Sequence, residues 1–517
     1  MSDANHQPLY APQEPIFPRR VSGKFRTLKW WIMGVTLGIY YLTPWLRWDR
    51  GPNLPDQAVL VDMAGRRFYF LWIEIWPHEF YFVAGLLIMA GLGLFLFTSA
   101  LGRVWCGYTC PQTVWTDLFL LVERWIEGDR NARVRLWKAK WDARKIRLRV
   151  TKWIVWLLIS VATGGAWVFY FADAPTLAMN LVTFNAPFIA YSTIAILTAT
   201  TFIFGGFMRE QVCIYMCPWP RIQAAMMDDD TLTVAYRDWR GEPRGKGNVR
   251  RAKAAAAAAL EAETITAQAG PGHARYAATP YPGKEKVTPI AAADGPGDCI
   301  DCMACVNVCP MGIDIRDGQQ MECITCALCI DACDEVMEKI GKERGLIDYL
   351  ALSDEGRERE GKPPRPIWQH VFRLRTIIYT AIWGAIGVGL VWALFIRSDI
   401  GLTVEPVRNP QFVTLSDGSI RNAYTLRIRN LTGEDREFRV LLNSEDILRI
   451  GVEAEGPAPN HVIVPANETL SVRTYVTARP QDPAGSRERT ELSLWVEDVA
   501  TDARAGEPTI FNGREAQ

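Results

Sequence analysis

The fold of the central part of this chain is decided by the segment CIDCMACVNVCP, residues 299–310. Its cysteines follow the spacing C-x2-C-x2-C-x3-C-P, and the segment CITCALCIDACD, residues 323–334, repeats that spacing with Asp334 in place of the proline. In this pattern three closely spaced thiolates bind one iron-sulfur cubane, and the remote fourth cysteine binds the neighbouring cluster. The sequence therefore predicts a bacterial-type ferredoxin module with two 4Fe-4S clusters.

The exchange of the fourth cysteine divides the eight cysteines into two sets, and we expect each set to bind one cluster. The first cysteine set is Cys299, Cys302, Cys305 and Cys333. The second cysteine set is Cys309, Cys323, Cys326 and Cys329. Structural zinc favours two separated C-x2-C pairs, and disulfides are disfavoured in a reducing compartment. Both alternatives are therefore weaker than a pair of clusters.

Outside this module, five stretches without a charged residue approach or reach the length that crosses the hydrocarbon core of a membrane. They are residues 30–46, 80–100, 153–171, 188–207 and 377–396. The first is the shortest and holds Pro44 near its end. Buried helices of a soluble protein are the weaker alternative, because such helices rarely stay free of charge over about 20 residues. The sequence predicts an α-helical transmembrane bundle of five spans.

The distribution of basic residues predicts the orientation of the spans. Residues 130–152 contain ten basic residues against one acid, whereas residues 173–187 contain none. Because short basic loops remain in the cytoplasm, we expect the N-terminus inside and, after five crossings, the C-terminus outside. The basic loop also contains tryptophan and aliphatic residues, so we expect it to lie on the lipid of the anionic inner leaflet. Nucleic acid is not an expected partner, because 57 basic and 57 acidic residues leave no net charge.

The remaining four of the 12 cysteines form two copies of the motif C-x-Y-x-C-P, at residues 106–111 and 213–218. Each copy follows an even-numbered span and is preceded by an arginine, Arg103 or Arg209. Two cysteines four residues apart on a helical turn point their sulfurs to one side. We therefore expect one site of four thiols at the membrane surface, which would suit Cu(I), a third iron-sulfur cluster or a redox dithiol. The alternative is four small buried side chains without chemistry. The thiols are those of Cys106, Cys110, Cys213 and Cys217.

The C-terminal region has a different pattern, with short alternating segments separated by turn residues. About 115 residues of this kind predict an antiparallel β-sandwich outside the membrane. The chain as a whole is therefore predicted to be multi-domain. The predicted parts are an N-terminal arm at 1–29, a four-span membrane core at 30–226, a mobile linker at 227–297, the ferredoxin module at 298–337, a second linker at 338–376, the fifth span at 377–396 and an immunoglobulin-like β-sandwich at 397–517.

These features together resemble the FixG/CcoG family, accessory proteins of cbb3-type cytochrome c oxidase. The resemblance is carried by the two C-x3-C-P motifs, the ferredoxin module, the fifth span and the β-sandwich. The segment CPMGIDIRDG, residues 309–318, is also close to a family signature, whereas residues 245–297 look like an insertion. The resemblance implies a multi-pass protein of the bacterial inner membrane, with the N-terminus and ferredoxin module in the cytoplasm and the C-terminal domain in the periplasm.

The resemblance also implies a function, which is the reduction of Cu(II) to Cu(I) for the copper centre of the oxidase. The four thiols of the C-x-Y-x-C-P motifs would then be catalytic, and the partners would be the oxidase or its copper assembly factors. A quinol dehydrogenase similar to the NapH-type membrane ferredoxins is one alternative, and a non-catalytic assembly scaffold is another. The sequence does not identify the electron donor.

Overall fold

The computed structural model describes residues 15–50, 54–245, 297–397, 400–453 and 457–514. The chain divides into two units, Met1–Leu46 with Gln57–Gly389, and Arg47–Asp56 with Leu390–Gln517. The first unit contains the cysteine motifs and most of the helices, and the second contains the C-terminal sheets. Most of the predicted linker at 227–297 lies outside the described residues.

The helices are named here in chain order. They are α1 (Lys24–Leu42), α2 (Phe80–Leu101), α3 (Val104–Tyr108), α4 (Pro111–Glu127), α5 (Arg130–Lys138), α6 (Ala143–Val168), α7 (Ala174–Val182), α8 (Phe188–Met216), α9 (Trp219–Met226), α10 (Asp238–Gly241), α11 (Ala304–Val308), α12 (Leu328–Ile340), α13 (Leu352–Arg359), α14 (Ile367–Val371), α15 (Leu374–Phe395) and α16 (Pro483–Ser486). Three 3-10 helices are Thr43–Trp45, Pro77–Glu79 and Ile315–Asp317. Helix α8 contains two π-helical stretches, Phe202–Met208 and Val212–Met216.

Within the described part of the chain, four helices are long and apolar enough to cross a membrane, namely α2, α6, α8 and α15. They correspond to the second to fifth predicted spans, and they indicate a membrane protein. The first predicted span is not one continuous helix, because α1 ends at Leu42 and Pro44 lies in a following 3-10 helix. Proline removes a backbone donor and clashes with the preceding turn, so it ends an α-helix. Five spans remain a prediction.

Two small sheets in the first unit have no counterpart in the sequence prediction. Strands β1 (Val59–Asp62), β2 (Arg67–Phe70) and β3 (Ile73–Ile75) form an antiparallel sheet between α1 and α2. Strands β4 (Thr233–Tyr236) and β5 (Ile347–Leu350) pair with each other and bury Val234 and Ile347 in the core of the ferredoxin module. The linker predictions are therefore wrong at 227–245 and in part of 338–376. A four-residue strand whose partner lies over 100 positions away leaves too little local periodicity to be recognised.

The second unit contains an antiparallel β-sandwich, which confirms the predicted fold of this domain. Its strands are β6 (Ile400–Pro406), β7 (Val413–Thr414), β8 (Ile420–Asn430), β9 (Arg436–Asn443), β10 (Leu448–Glu453), β11 (His461–Val464), β12 (Thr469–Ala478), β13 (Arg489–Asp498) and β14 (Arg504–Asn512). One sheet has the order β10-β12-β8-β6 with β7 beside β8, and the other has the order β11-β9-β13-β14. Alternate residues of each long strand point inward, so Leu426, Phe438 and Leu494 are fully buried between the sheets.

The substitution Leu426→Ala should lower the free energy of unfolding of the sandwich by about 2–5 kcal/mol, because it removes buried methyl groups and leaves a cavity. Ile463→Ala is the control, since Ile463 is 50% exposed and its truncation should cost less than about 0.5 kcal/mol. Pulse proteolysis of the full-length protein in detergent across a urea series measures both values. Equal losses in the two variants would contradict the assigned core.

Candidate functional site

The eight cysteines of the predicted ferredoxin module surround two cavities. One cavity is lined by all four cysteines of the first set, together with apolar side chains such as Ile300 and Leu346. The other is lined by all four cysteines of the second set and also by Cys305. The structure thus gathers each set around its own cavity. A purely sulfur donor set in an apolar pocket suits an iron-sulfur cluster.

The two cavities are built on the same unusual backbone. Asp301 and Met303 have φ values of 52° and 57°, and the equivalent residues Thr325 and Ala327 have φ values of 53° and 58°. A residue other than glycine in this left-handed region costs about 1–3 kcal/mol and persists only where its surroundings fix it. Because the same two positions between the cysteines are strained in both halves, both loops are wound in the same way around their cavities.

Burial raises the pKa of several of these thiols. The pKa of Cys305 and that of Cys309 rise to about 12, and the pKa of Cys323 rises to about 11. At Cys323 the backbone N–H of Thr325, 3.5 Å from Sγ, opposes the rise. Free thiols with such pKa values are protonated at neutral pH, so metal binding here must displace protons.

A site for one metal ion is not formed by the cysteines. In the part of the chain that the structure describes, no three or more His, Cys, Asp or Glu side chains converge in the way that a single ion requires. Structural zinc needs four ligands at tetrahedral distances from one point. In a cubane, by contrast, each cysteine binds a different iron atom, so the thiols stand further apart. A cubane does not require convergence on one point, so this finding is compatible with a cluster in each of the two cavities.

The two C-x-Y-x-C-P motifs have the same local structure. In each copy the first cysteine, Cys106 or Cys213, lies in a helix. The second cysteine is extended, with ψ of 128° at Cys110 and 123° at Cys217. The expectation that both cysteines share one helical turn is therefore wrong. The reason is the proline that follows, because its ring disfavours the α conformation in the residue before it.

The structure nevertheless places the four cysteines of the two motifs near one another, in a group that we name the thiol site, although no three of them converge as one metal ion requires. The thiols of Cys110 and Cys217 are close enough to Cys106 to interact with it electrostatically. All three thiols interact with that of Cys213 in the same way. All four side chains are partly exposed. Burial raises the pKa of Cys106 to about 11, against the opposing effect of the Arg103 guanidinium. The site thus combines four soft donors with a nearby positive charge.

A buried amide also contacts the thiol site. The Sγ atom of Cys106 lies 3.1 Å from Oε1 of Gln223, and Nε2 of Gln223 donates to the Thr98 hydroxyl at 3.2 Å. Gln223 is 1% exposed and Thr98 is fully buried. The sequence analysis did not identify Gln223, which is 117 positions from Cys106 and has no motif of its own.

The thiol site packs directly against the loop that carries the second cysteine set. A Cβ atom at Gly107 would lie 2.6 Å from the carbonyl oxygen of Ile324 and 3.0 Å from Cα of Cys326, so only glycine fits there. The hydroxyl of the next residue, Tyr108, donates to the carbonyl of Cys326 at 3.2 Å. The first C-x-Y-x-C-P motif is therefore in contact with the residues that surround the second cavity.

A further contact joins the ferredoxin module to the start of α1. The carboxylate of Asp331 accepts hydrogen bonds from the backbone N–H groups of Arg26 at 2.7 Å and Phe25 at 3.3 Å. The side chain of Arg26 then pairs with Asp117 of α4 at 2.9 Å, and Lys29 lies 3.5 Å from the same carboxylate. The module is thus hydrogen-bonded to α1, and α1 is in turn paired with α4.

Part of the basic loop at 130–152 is buried. Arg133 and Lys152 pair with Glu123 of α4, and Lys152 also pairs with Glu127 at 3.0 Å. Arg209, which precedes the second motif, pairs with Glu123 as well. Some basic side chains of this loop thus pair with two buried carboxylates of α4, which the charge count of the loop does not reveal, and contact of the loop with lipid remains a prediction.

The cavities, the thiol site and the apolar helices define an iron-sulfur electron-transfer protein of the membrane. The chain matches the 4Fe-4S dicluster domain family over residues 208–270 and 260–352, and a 4Fe-4S binding domain family over residues 82–129. Residues 390–514 match the IG-like fold at the C-terminal of FixG.

Whole-length relatives give the particular family. The chain is 64% identical over 512 residues to protein RdxB of Cereibacter sphaeroides, with 99% of each chain covered. It is 50% identical over 533 residues to the nitrogen fixation protein FixG of Rhizobium meliloti, with 98% of this chain and 94% of the relative covered. A crystal structure of a FixG-related protein from Vibrio parahaemolyticus matches 23% of this chain and 99% of that chain at 18% identity, with a TM-score of 0.20. The chain belongs to the FixG/CcoG family.

The substitution Gly107→Ala should separate the thiol site from the module, because the new Cβ would meet backbone atoms that have no room to move. We expect the free energy of unfolding to fall by about 1–3 kcal/mol. The EPR signal of the cluster that the second cysteine set would hold should also change. Gly165→Ala in α6 is the control, since nothing lies within 4 Å of its Cβ position. Thermal unfolding and EPR of both purified variants provide the comparison, and identical behaviour would contradict the contact.

Proposed function

We propose that this protein accepts electrons from a cytoplasmic donor and reduces Cu(II) to Cu(I) at its thiol site during assembly of a cbb3-type cytochrome c oxidase. The observation that carries the proposal is the contact of Gly107 and Tyr108 with the loop from Ile324 to Cys326. This contact places four soft donors beside the residues that would hold a cluster. Family membership supports the oxidase and its copper assembly factors as partners.

The cofactors in this proposal are two 4Fe-4S clusters. The first cysteine set would hold one and the second set the other, each in the cavity that it lines. When bound, the clusters supply one-electron transfer. The apolar residues that line the two cavities would limit the access of water to the clusters, and the contacts of Gly107 and Tyr108 would hold the second cavity against the thiol site.

The substrate in this proposal is Cu(II). One electron and one Cu(II) ion give one Cu(I) ion, and no bond of the protein needs to break. Thiolates are soft ligands that prefer Cu(I), so the four thiols would favour the reduced ion. The Arg103 guanidinium near Cys106 would compensate part of the negative charge that thiolates bring to a half-buried site.

A third iron-sulfur cluster is a second candidate for the thiol site. It is favoured by the match of residues 82–129 to a 4Fe-4S binding domain family, because those residues include Cys106 and Cys110. Iron analysis of anaerobically purified protein separates the two candidates. Two clusters give about eight iron atoms per chain, and a third cluster raises this to about twelve.

The proposed topology has five spans, with the ferredoxin module in the cytoplasm and the β-sandwich in the periplasm of a bacterial inner membrane. It is motivated by the ten-to-one basic excess at 130–152. Reporter fusions after Gly297 and after Gln517 are expected to report opposite compartments. The same compartment for both would show that one span is misassigned, and α1 would be the first to re-examine.

Single substitutions by serine in the thiol site should abolish Cu(II) reduction, because a hydroxyl cannot replace a thiolate as a soft ligand. We expect Cys106→Ser, Cys110→Ser, Cys213→Ser and Cys217→Ser each to lower the rate at least tenfold. Stopped-flow mixing of dithionite-reduced protein with Cu(II) and a Cu(I) chelator measures the rate. The EPR spectra of the clusters should remain, since none of the four cysteines belongs to either cysteine set.

Two comparisons complete this experiment. A variant that lacks both motif pairs should be little worse than one that lacks either, because the four thiols act as one unit. Wild-type rates in all four single variants would leave the scaffold as the remaining function. Oxidation of a quinol by the wild-type protein, with no reaction toward Cu(II), would replace the proposal by a quinol dehydrogenase.

A further inference from the structure

Among the described residues, Arg103 and Arg316 act on cysteines of the two centres, and Arg209 precedes the second C-x-Y-x-C-P motif; Arg316 and Arg209 are paired with carboxylates. Arg316 acts on Cys305 of the first set, but it pairs with Asp301 at 2.5 Å and with Asp314 at 2.6 Å. Arg209 precedes the second C-x-Y-x-C-P motif and pairs with Glu123. The positive charge of each is therefore largely cancelled at the distance of the cysteines.

The third arginine, Arg103, is different. It precedes the first motif as Arg209 precedes the second, yet no carboxylate of the described residues lies within ion-pair distance of it. It is 3% exposed, its Nε atom has no hydrogen-bond partner in the structure, and Nη1 donates to the carbonyl of Met321. The duplicated arginines have thus taken separate roles, and only the first keeps an uncompensated charge.

The position of Arg103 is fixed by the backbone around it. Gly102, with φ of 62°, makes the left-handed turn that ends α2, and a Cβ atom there would lie 3.0 Å from Cγ2 of Thr233. The hydrogen bond to the carbonyl of Met321 then holds the guanidinium beside the second cysteine set, because Met321 lies two residues before Cys323 in the sequence. On its other side the guanidinium acts on Cys106 of the thiol site. One buried cation therefore faces both centres.

We propose that Arg103 is a positioning residue whose single uncompensated charge sets the redox potential of the second-set cluster and of the thiol site together. This inference rests on the proposed function for the thiol site and on the clusters for the second set. A buried positive charge stabilises the reduced state of a nearby centre, because reduction adds a negative charge. Arg103 would thus keep both centres easier to reduce, while the first-set cluster, beside the paired Arg316, would not respond.

Gln223 provides a contrast within the same site. It contacts Cys106 and no residue of the second set among its described hydrogen bonds. Its amide is neutral, and hydrogen bonds to sulfur affect the potential of the centre that they contact. Gln223→Leu should therefore change the rate of Cu(II) reduction at the thiol site. The equilibrium constants for reduction of both clusters should stay within twofold of their wild-type values.

The test is an EPR-monitored redox titration of the purified full-length protein carrying Arg103→Gln. One of the two cluster transitions should move to a more negative potential. Its equilibrium constant for reduction should fall at least tenfold, which corresponds to about 59 mV for one electron. The other transition should stay in place. Arg316→Gln assigns the transitions, because it would leave the carboxylates of Asp301 and Asp314 without their partner beside Cys305 of the first set and so lower the potential of that cluster. The matched control is Arg209→Gln, which should shift neither.

Arg103→Lys keeps the charge and loses the planar guanidinium. We expect the equilibrium constant for reduction of its second-set cluster to stay within tenfold of the wild-type value. If Arg103→Gln fails to hold iron, this variant tests the proposal instead. A tenfold fall in the lysine variant despite its retained charge would overturn the proposal. So would an unchanged potential in Arg103→Gln or an equal shift of both transitions. Because these potentials are measured without copper, they remain informative even if the wild-type protein fails to reduce Cu(II).

Discussion

The close approach of Gly107 to the backbone of the loop between Ile324 and Cys326 holds the first C-x-Y-x-C-P motif against the second cysteine set. At 2.6 Å from a carbonyl oxygen, the position of a Cβ atom is already occupied, so a side chain would force the two segments apart. In the proposed function electrons pass between the second-set cluster and the thiol site, and the absence of a side chain at Gly107 permits the close approach that this transfer requires. The hydrogen bond of Tyr108 and the charge of Arg103 act at the same contact.

The sequence predicted the grouping of the eight cysteines better than the residues around them, for a physical reason. Cysteine spacing reflects the size of a cluster directly, so both four-cysteine sets could be assigned to cavities that the structure contains. The four apolar helices were equally visible, because membrane thickness sets their length. Strand β4 could not be recognised, since its partner β5 is distant in the chain. Gln223 could not be recognised either, because a single buried amide has no pattern.

Errors at the motifs have a common origin in proline. The spacing of Cys106 and Cys110 suggested a shared helical turn, but a residue before proline is extended, and the second cysteine of each motif follows that rule. The two motifs therefore share the same backbone structure, but the arginines that precede them have different partners. Arg209 joins the ion cluster around Glu123, whereas Arg103 faces the thiols. A repeated sequence has thus produced one arginine in a buried ion cluster and one beside the cysteines.

The hydrogen bonds from the first turn of α1 to Asp331 also bear on how the protein is made. The N–H groups at a helix start need an acceptor, and here the acceptor is synthesised about 300 residues later. The N-terminal helix therefore leaves the ribosome long before its cap exists. Because the cap belongs to α12, which also carries Cys329 and Cys333, the first turn of α1 obtains its acceptor only after the second cysteine-rich segment has been synthesised.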